Sequence, residues 1–172
     1  MFLSRLLSIG TGLFFSLMVL RNTTIQEYGI YGNLGDTLSY FTLPALIIPF
    51  WTTRFTARNH VGAPKTGLAA NLLLSTISAA IYMLLLPPIT SAFQIGEAYI
   101  IIYTIVVIQI LEFYTLYAFE SILHAKQPQK IGYGFLIFEV CRVVVGYILI
   151  VQRDLSLFGA VTSVIVAYTL QL

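Results

Sequence analysis

Apolar residues along this chain fall into six long runs parted by short polar breaks, at roughly 2–20, 32–53, 67–87, 98–119, 131–151 and 157–172. A hydrocarbon core about 30 Å thick needs ~20 helical residues to cross it, and the first five runs reach that length. The sixth stops at Leu172 a little short of it. Only helices and closed barrels satisfy every backbone group inside lipid. Barrel strands would alternate apolar and polar over about ten residues, and these runs do not. The pattern predicts an all-α, polytopic membrane bundle of six transmembrane helices, forming one membrane domain over 1–172.

Prolines and helical faces refine that picture. In the second span Pro44 and Pro49 each remove a backbone donor, so a kink is expected there, and broken membrane helices tend to line cavities. Asp36 and Arg54 are about five helical turns apart and are expected on one face of that span, near opposite ends, with Tyr40 between them. Span three carries Gly67, Asn71, Ser75, Ser78 and Tyr82 at helical spacing, and span one carries Arg5, Ser8, Gly12 and Ser16. Such stripes let helices pack closely in lipid, which accounts for them at least as well as a lumen-facing role does. Gln109, Glu112, Phe113, Tyr117 and Glu120 share a face of span four, and Gly132, Glu139, Arg142, Gly146 and Arg153 a face of span five.

Charge is sparse and placed. Charged residues are 9% of the chain and hydrophobic ones 58%, against about 25% charged in a typical soluble domain. The net charge of +2 offers no footprint for nucleic acid. Cys141 stands alone in span five, which excludes an intrachain disulfide and leaves it a small packing residue. His60 and His124 lie in separate loops without companion ligands, so neither metal nor cofactor is expected. The acids are scattered and no nucleotide-binding or zinc-protease motif occurs, so no enzymatic activity is expected.

Arg5, Arg54, Arg58, Lys65, Lys126 and Lys130 fall on one side of the six-span topology, and only Arg21 and Arg153 on the other. Basic loops resist translocation. The expected protein is therefore a multi-pass resident of the cell membrane with both ends of this segment in the cytoplasm.

An ionised side chain at the bilayer centre costs about 2.5–3.5 kcal/mol on insertion scales. Glu112, Glu139 and Arg142 fall at nearly one depth and are expected to face the protein interior. Two arrangements remain open. Glu139 and Arg142, one turn apart, can pair as a packing device. Alternatively, they line a polar cavity where Arg142 meets an anionic ligand while Glu112 or Glu139 titrates.

The segment Arg21-Asn22-Thr23-Thr24-Ile25-Gln26-Glu27-Tyr28-Gly29-Ile30-Tyr31 resembles the join between helices one and two of polysaccharide flippases. The second span ends in apolar residues followed by Arg54 and Arg58, similar to that family's basic pair. Ala125-Lys126-Gln127-Pro128-Gln129-Lys130-Ile131-Gly132-Tyr133 is similar to its cytoplasmic turn between helices four and five. The chain thus resembles the N-terminal lobe of the polysaccharide/oligosaccharide flippase branch of the multidrug/oligosaccharidyl-lipid/polysaccharide exporter superfamily. It departs from the pattern around Pro44, where the family often has a glycine.

The resemblance implies one lobe of a two-lobe exporter fold that moves a polyprenyl-phosphate-linked oligosaccharide or polysaccharide precursor across the membrane for cell-surface glycan biosynthesis. It also implies a partner, either a C-terminal lobe beyond this N-terminal fragment or a second copy, besides the membrane lipids. Guanidinium groups bind phosphate bidentately, which makes Arg142, Arg5 and Arg54 the expected cargo contacts. Tyr40, Tyr117 and Phe113 are expected to stack on sugars, whereas Arg58 is better explained by topology and lipid headgroups. Glu112, Glu139 and Asp36 are the candidates for ion coupling. A cation-coupled multidrug exporter of the same superfamily and a non-transporting membrane assembly subunit are the alternatives.

The loop charges generate a direct test of orientation. With Cys141 replaced by Ser, an impermeant maleimide added to intact cells should label a cysteine placed at Glu97 and spare one placed at Lys65. Labelling of position 65 from outside would reverse the topology.

Overall fold

A computed structural model describes residues 2–172, and their side chains from Ser8 onward. The described residues form eight α-helices: α1 (Phe2–Asn22), α2 (Ile25–Thr42), α3 (Ile47–Ala57), α4 (Ala63–Ala92), α5 (Glu97–Ile105), α6 (Val107–Lys126), α7 (Gln129–Gly146) and α8 (Ser156–Gln171). A 3₁₀ turn at Leu43–Leu46 joins α2 to α3, and a π-helical stretch at Tyr147–Gln152 continues α7. No strand occurs among the described residues.

Local chemistry sets the boundaries. Between α1 and α2, Thr24 and Glu27 form a capping box. The Thr24 N–H donates to Glu27 Oε2 at 2.8 Å, and the Glu27 N–H donates to Thr24 Oγ1 at 3.2 Å, which satisfies two amides that a helix start leaves orphaned. Much of the 21–31 segment, which the apolar pattern leaves as a break between the first two runs, is helix, because the cap starts α2 at Ile25. The kink expected in span two is a single break. Pro44 opens the 3₁₀ turn, whereas Pro49 sits in the first turn of α3, where its missing N–H costs nothing. A second consequence is a correction: Asp36 and Arg54 do not share a face of one continuous helix. Four residues at about 120° each, in place of 100°, turn the register by roughly 80°.

Three helices are long and apolar enough to cross a membrane among the described residues: Ala63–Ala92, Glu97–Lys126 (α5 with α6) and Gln129–Gln152 (α7 with its π stretch). The apolar helix Ser156–Gln171 is shorter, and the second predicted span is divided at Leu43–Leu46. α4 shows what kind of environment it suits. Asn71, Ser75 and Ser78 are buried while Leu73, Ile77, Ile81 and Leu84 stand exposed, Leu84 by 77%. A helix in water has the opposite distribution.

The chain forms two compact units, one of residues 1–35 with 129–172 and one of 36–128. In the second, hydrogen bonds from side chains to backbone carbonyls tie helix to helix. Asn71 Nδ2 donates to the Tyr114 carbonyl at 2.6 Å, Tyr82 Oη to the Tyr103 carbonyl at 2.6 Å, and Thr53 Oγ1 to the Ser121 carbonyl at 3.1 Å. The Phe41 carbonyl accepts from both Ser78 Oγ (2.7 Å) and Tyr114 Oη (3.0 Å). Phe41 belongs to the last turn of α2, whose carbonyls lack helical partners once Pro44 ends the ladder. The polar stripe on α4 is thus its packing face. At Gly67 a β-carbon would fall 2.5 Å from Thr52 Cγ2, so only glycine allows α3 this close.

In the first unit, Phe15, Met18 and Val19 of α1 pack with Ile150 and Ala160, flanked by Tyr31 and Val164. Gly159 of α8 lies against the π stretch, where a β-carbon would meet the Leu149 carbonyl carbon at 3.0 Å. At the start of α8, Ser156 Oγ reaches Glu27 Oε2 at 2.9 Å and the Asn22 carbonyl at 3.2 Å, which fastens the ends of three helices.

Two predictions follow from these bonds. Ser78→Ala and Tyr114→Phe each leave the Phe41 carbonyl one donor, so each should cost about 1 kcal/mol of stability. The double variant strands a part-buried acceptor and should cost more than the sum, by roughly another 1 kcal/mol, measurable in a double-mutant cycle of thermal or denaturant unfolding. For Glu27, burial raises the carboxyl pKa, but hydrogen bonds from the Thr24 N–H, Ser156 and the Thr24 hydroxyl outweigh it and hold the pKa below the ordinary value. A depressed folded-state pKa stabilises above the unfolded value and is lost as pH falls through the folded one. Stability should therefore be flat near neutrality and decline below the usual carboxylate range, and Glu27→Gln should remove that part of the decline.

Candidate functional site

Helical spacing brings Glu139 and Arg142 of α7 one turn apart on a single face. Arg142 Nη2 meets Glu139 Oε2 at 2.5 Å. The carboxylate takes two more hydrogen bonds from α1, from Ser8 Oγ to Oε1 at 2.5 Å and from Thr11 Oγ1 to Oε2 at 2.7 Å. One small residue makes that approach possible. A β-carbon on Gly146 would run into Phe15 and Met18 at 2.8 Å, whereas one on Gly12 would make only an ordinary contact with Arg142 Nη2 at 3.5 Å. Of the two glycines singled out in the sequence stripes, Gly146 is the one that lets α1 lie down on α7.

The surroundings of the pair are asymmetric. Glu139 is almost fully enclosed, with 5% of its side chain exposed, while Arg142 keeps 17%. The guanidinium carbon stands 5.1 Å from the Phe15 ring centre and 5.0 Å from that of Phe138, a cation–π arrangement. Arg142 Nε is buried and has no hydrogen-bond partner. A buried carboxylate with three donors is well satisfied. The arginine is held at one corner, stacked by rings, and retains an unused N–H. Chemically, the cluster is a fixed cation with donor capacity left over.

The other sequence candidates are distributed differently. Glu112 is buried, in the 36–128 unit. Phe113 and Tyr117 stack on each other along α6 at 6.1 Å. Asp36 and Tyr40 are exposed on α2. Arg54 is exposed on α3, its guanidinium 5.3 Å from the Phe50 ring centre and 5.9 Å from that of Trp51. The Arg5 side chain lies outside the described residues. The structure therefore brings Glu139 and Arg142 together and leaves Asp36 and Arg54 as surface groups. The hydroxyl of Thr11 and the rings of Phe15 and Phe138 are additions to the sequence reading. Phe138 precedes Glu139 in the chain, and Thr11 and Phe15 are one turn apart on α1, a spacing that marks a shared face.

No cluster of three metal-ligating side chains occurs among the described residues. In comparisons with known proteins, no family model, no curated protein and no solved structure matches the chain.

The pair gives a prediction about stability. Arg142→Met leaves the Glu139 carboxylate buried without its cation and should cost on the order of 3–5 kcal/mol. Adding Glu139→Gln should restore a substantial part of that loss, because an amide needs no counter-charge. Thermal unfolding of both single variants and the double variant in detergent measures the difference, and a double-variant loss equal to the sum of the two single losses would mean the two side chains contribute independently.

Proposed function

We propose that this chain is a membrane-embedded lobe of a flippase that moves a lipid-linked oligosaccharide or polysaccharide precursor, with Arg142 holding the phosphate of the cargo. Three helices long and apolar enough to span a membrane support membrane residence, as do the outward leucines of α4. On this proposal α1, the broken α2–α3 segment and α8 complete a six-span topology with both ends cytoplasmic, and a second lobe or second copy supplies the opposing wall.

The observation that carries the proposal is the arrangement around Arg142. Its charge is balanced at rest by Glu139, yet Nε is left without a partner and the side chain retains some access. Phosphate is the ligand that a guanidinium fork fits best, because two parallel N–H donors match two phosphate oxygens. An arriving phosphate adds its charge next to Glu139. The carboxylate must then yield its place beside Arg142, and the Glu139 group so displaced is the candidate for ion coupling. The resemblance of segments 21–31 and 125–133 to polysaccharide flippases points to a glycan on a polyprenyl phosphate as the specific cargo.

Arg142→Lys separates this function from packing, since lysine keeps a positive charge for Glu139 but has no fork. Reconstituted with its partner lobe, a well-folded Arg142→Lys protein should translocate a fluorescent glycan-lipid about tenfold or more slowly than the native protein, the loss of one charge-assisted hydrogen bond. Unchanged translocation would leave the Glu139–Arg142 pair as packing alone.

A further inference from the structure

A second polar feature lies in the 36–128 unit, far along the sequence from Arg142 and independent of the cargo proposal. Around the turn between α3 and α4 a cavity of about 480 Å³ is lined by Thr56, Asn59, His60, Lys65 and Lys126 among others, with no acidic residue. Beside it runs a groove of about 410 Å³ lined by Ile48, Trp51, Phe55 and Ala70. His60, Val61 and Gly62 border both spaces. One is cationic and polar, the other apolar, and they share a rim.

Three observations say what fits. First, Thr56 is 97% buried, lines the cationic cavity, and its Oγ1 has no hydrogen-bond partner. A buried hydroxyl without a partner costs free energy unless a ligand supplies one. Second, the cavity sits at the N-terminus of the 30-residue helix α4, with Lys65 in its first turn and Lys126 entering from the end of α6. A helix start and two ammonium groups favour an anion with acceptor oxygens. Third, the adjoining groove is walled by Trp51 and Phe55, stacked at 6.2 Å, while the Val61 side chain at the rim is fully exposed. Aromatic rings beside lysines and an uncovered valine are features of the headgroup level of a bilayer.

We propose that this cavity and groove form a binding site for one anionic glycerophospholipid of the bilayer. Its phosphate lies between Lys65 and Lys126 and accepts the Thr56 hydroxyl proton in a hydrogen bond, and one acyl chain runs along the groove past Trp51. A zwitterionic lipid carries its own ammonium group into the same cavity, where two lysines repel it, so the site selects against phosphatidylcholine. A free phosphate matches the cavity but leaves the groove uncovered. The lipid would pin the α3–α4 turn to one membrane face.

Trp51 is the only tryptophan in the chain, which provides a built-in reporter. The purified full chain in detergent micelles is titrated with phosphatidylglycerol carrying brominated acyl chains, and separately with brominated phosphatidylcholine, while Trp51 fluorescence is followed. Quenching by the anionic lipid should reach its midpoint at a several-fold lower mole fraction. The Lys65→Gln/Lys126→Gln double variant should equalise the two lipids, and Thr56→Val should reduce the preference with the fold intact by circular dichroism. Inorganic phosphate at millimolar concentration should not displace the brominated lipid. Equal quenching of the native protein by both lipids would overturn the site, and so would a preference that survives in the double variant. Displacement of the brominated lipid by a polyprenyl phosphate at lower mole fraction would overturn its assignment to a bilayer lipid. Glycan-lipid translocation by the Arg142 variants is read separately, so failure here leaves the proposed function standing.

Discussion

An apolar helical bundle has one governing constraint: a polar group inside it must find its partner within the protein, since neither lipid tails nor packed leucines offer one. The joints of both units are answers to that constraint. Pro44 ends the hydrogen-bond ladder of α2, and the released Phe41 carbonyl draws Ser78 and Tyr114 from two other helices onto one oxygen. Glu139 draws Ser8 and Thr11 from α1 in the same way. Hydrogen bonds between helices are individually modest in membranes. Their directionality is what fixes which faces meet, because apolar surfaces alone slide past one another with little penalty.

Charge placement follows the same logic with higher stakes. A carboxylate and a guanidinium one turn apart neutralise each other locally, so both can stand in a helix long and apolar enough to cross a membrane. Pairing of this kind is weak support for stability and better support for a unique arrangement. Around Arg142 the compensation is incomplete, with the aromatic faces of Phe15 and Phe138 covering what the carboxylate does not.

The all-helical class is legible in the sequence, since runs of this length admit little else, and so is the polar stripe of α4. Asn71, Ser75 and Ser78 stand at helical spacing and all turn inward. The partnership of Glu139 with Arg142 is legible as well, because residues three apart on a helix are neighbours. Other features depend on information that periodicity does not carry. Whether Pro44 or Pro49 breaks a helix depends on where the following helix starts, and Pro49 falls harmlessly into a first turn. The Thr24–Glu27 cap is written in the sequence as a threonine followed three residues later by a glutamate, a spacing masked by the apolar patterning around it. Thr11 is one hydroxyl among many, and only the docking of α1 on α7 selects it. The buried Thr56 hydroxyl is hidden for the same reason.

The π-helical stretch at Tyr147–Gln152 constrains chain length. A π turn accommodates one residue more than an α turn, and here it directs the Arg153 N–H to the Ile148 carbonyl and the Leu155 N–H to the Leu149 carbonyl. Ile150 is completely buried within it. Removing one residue from the stretch would let it relax to α geometry with little change of register, whereas adding one would rotate everything after the insertion by about 100°, carrying Gly159 away from the backbone it now touches. The segment therefore tolerates the loss of a residue better than an insertion, while the completely buried Ile150 limits which side chains can vary there.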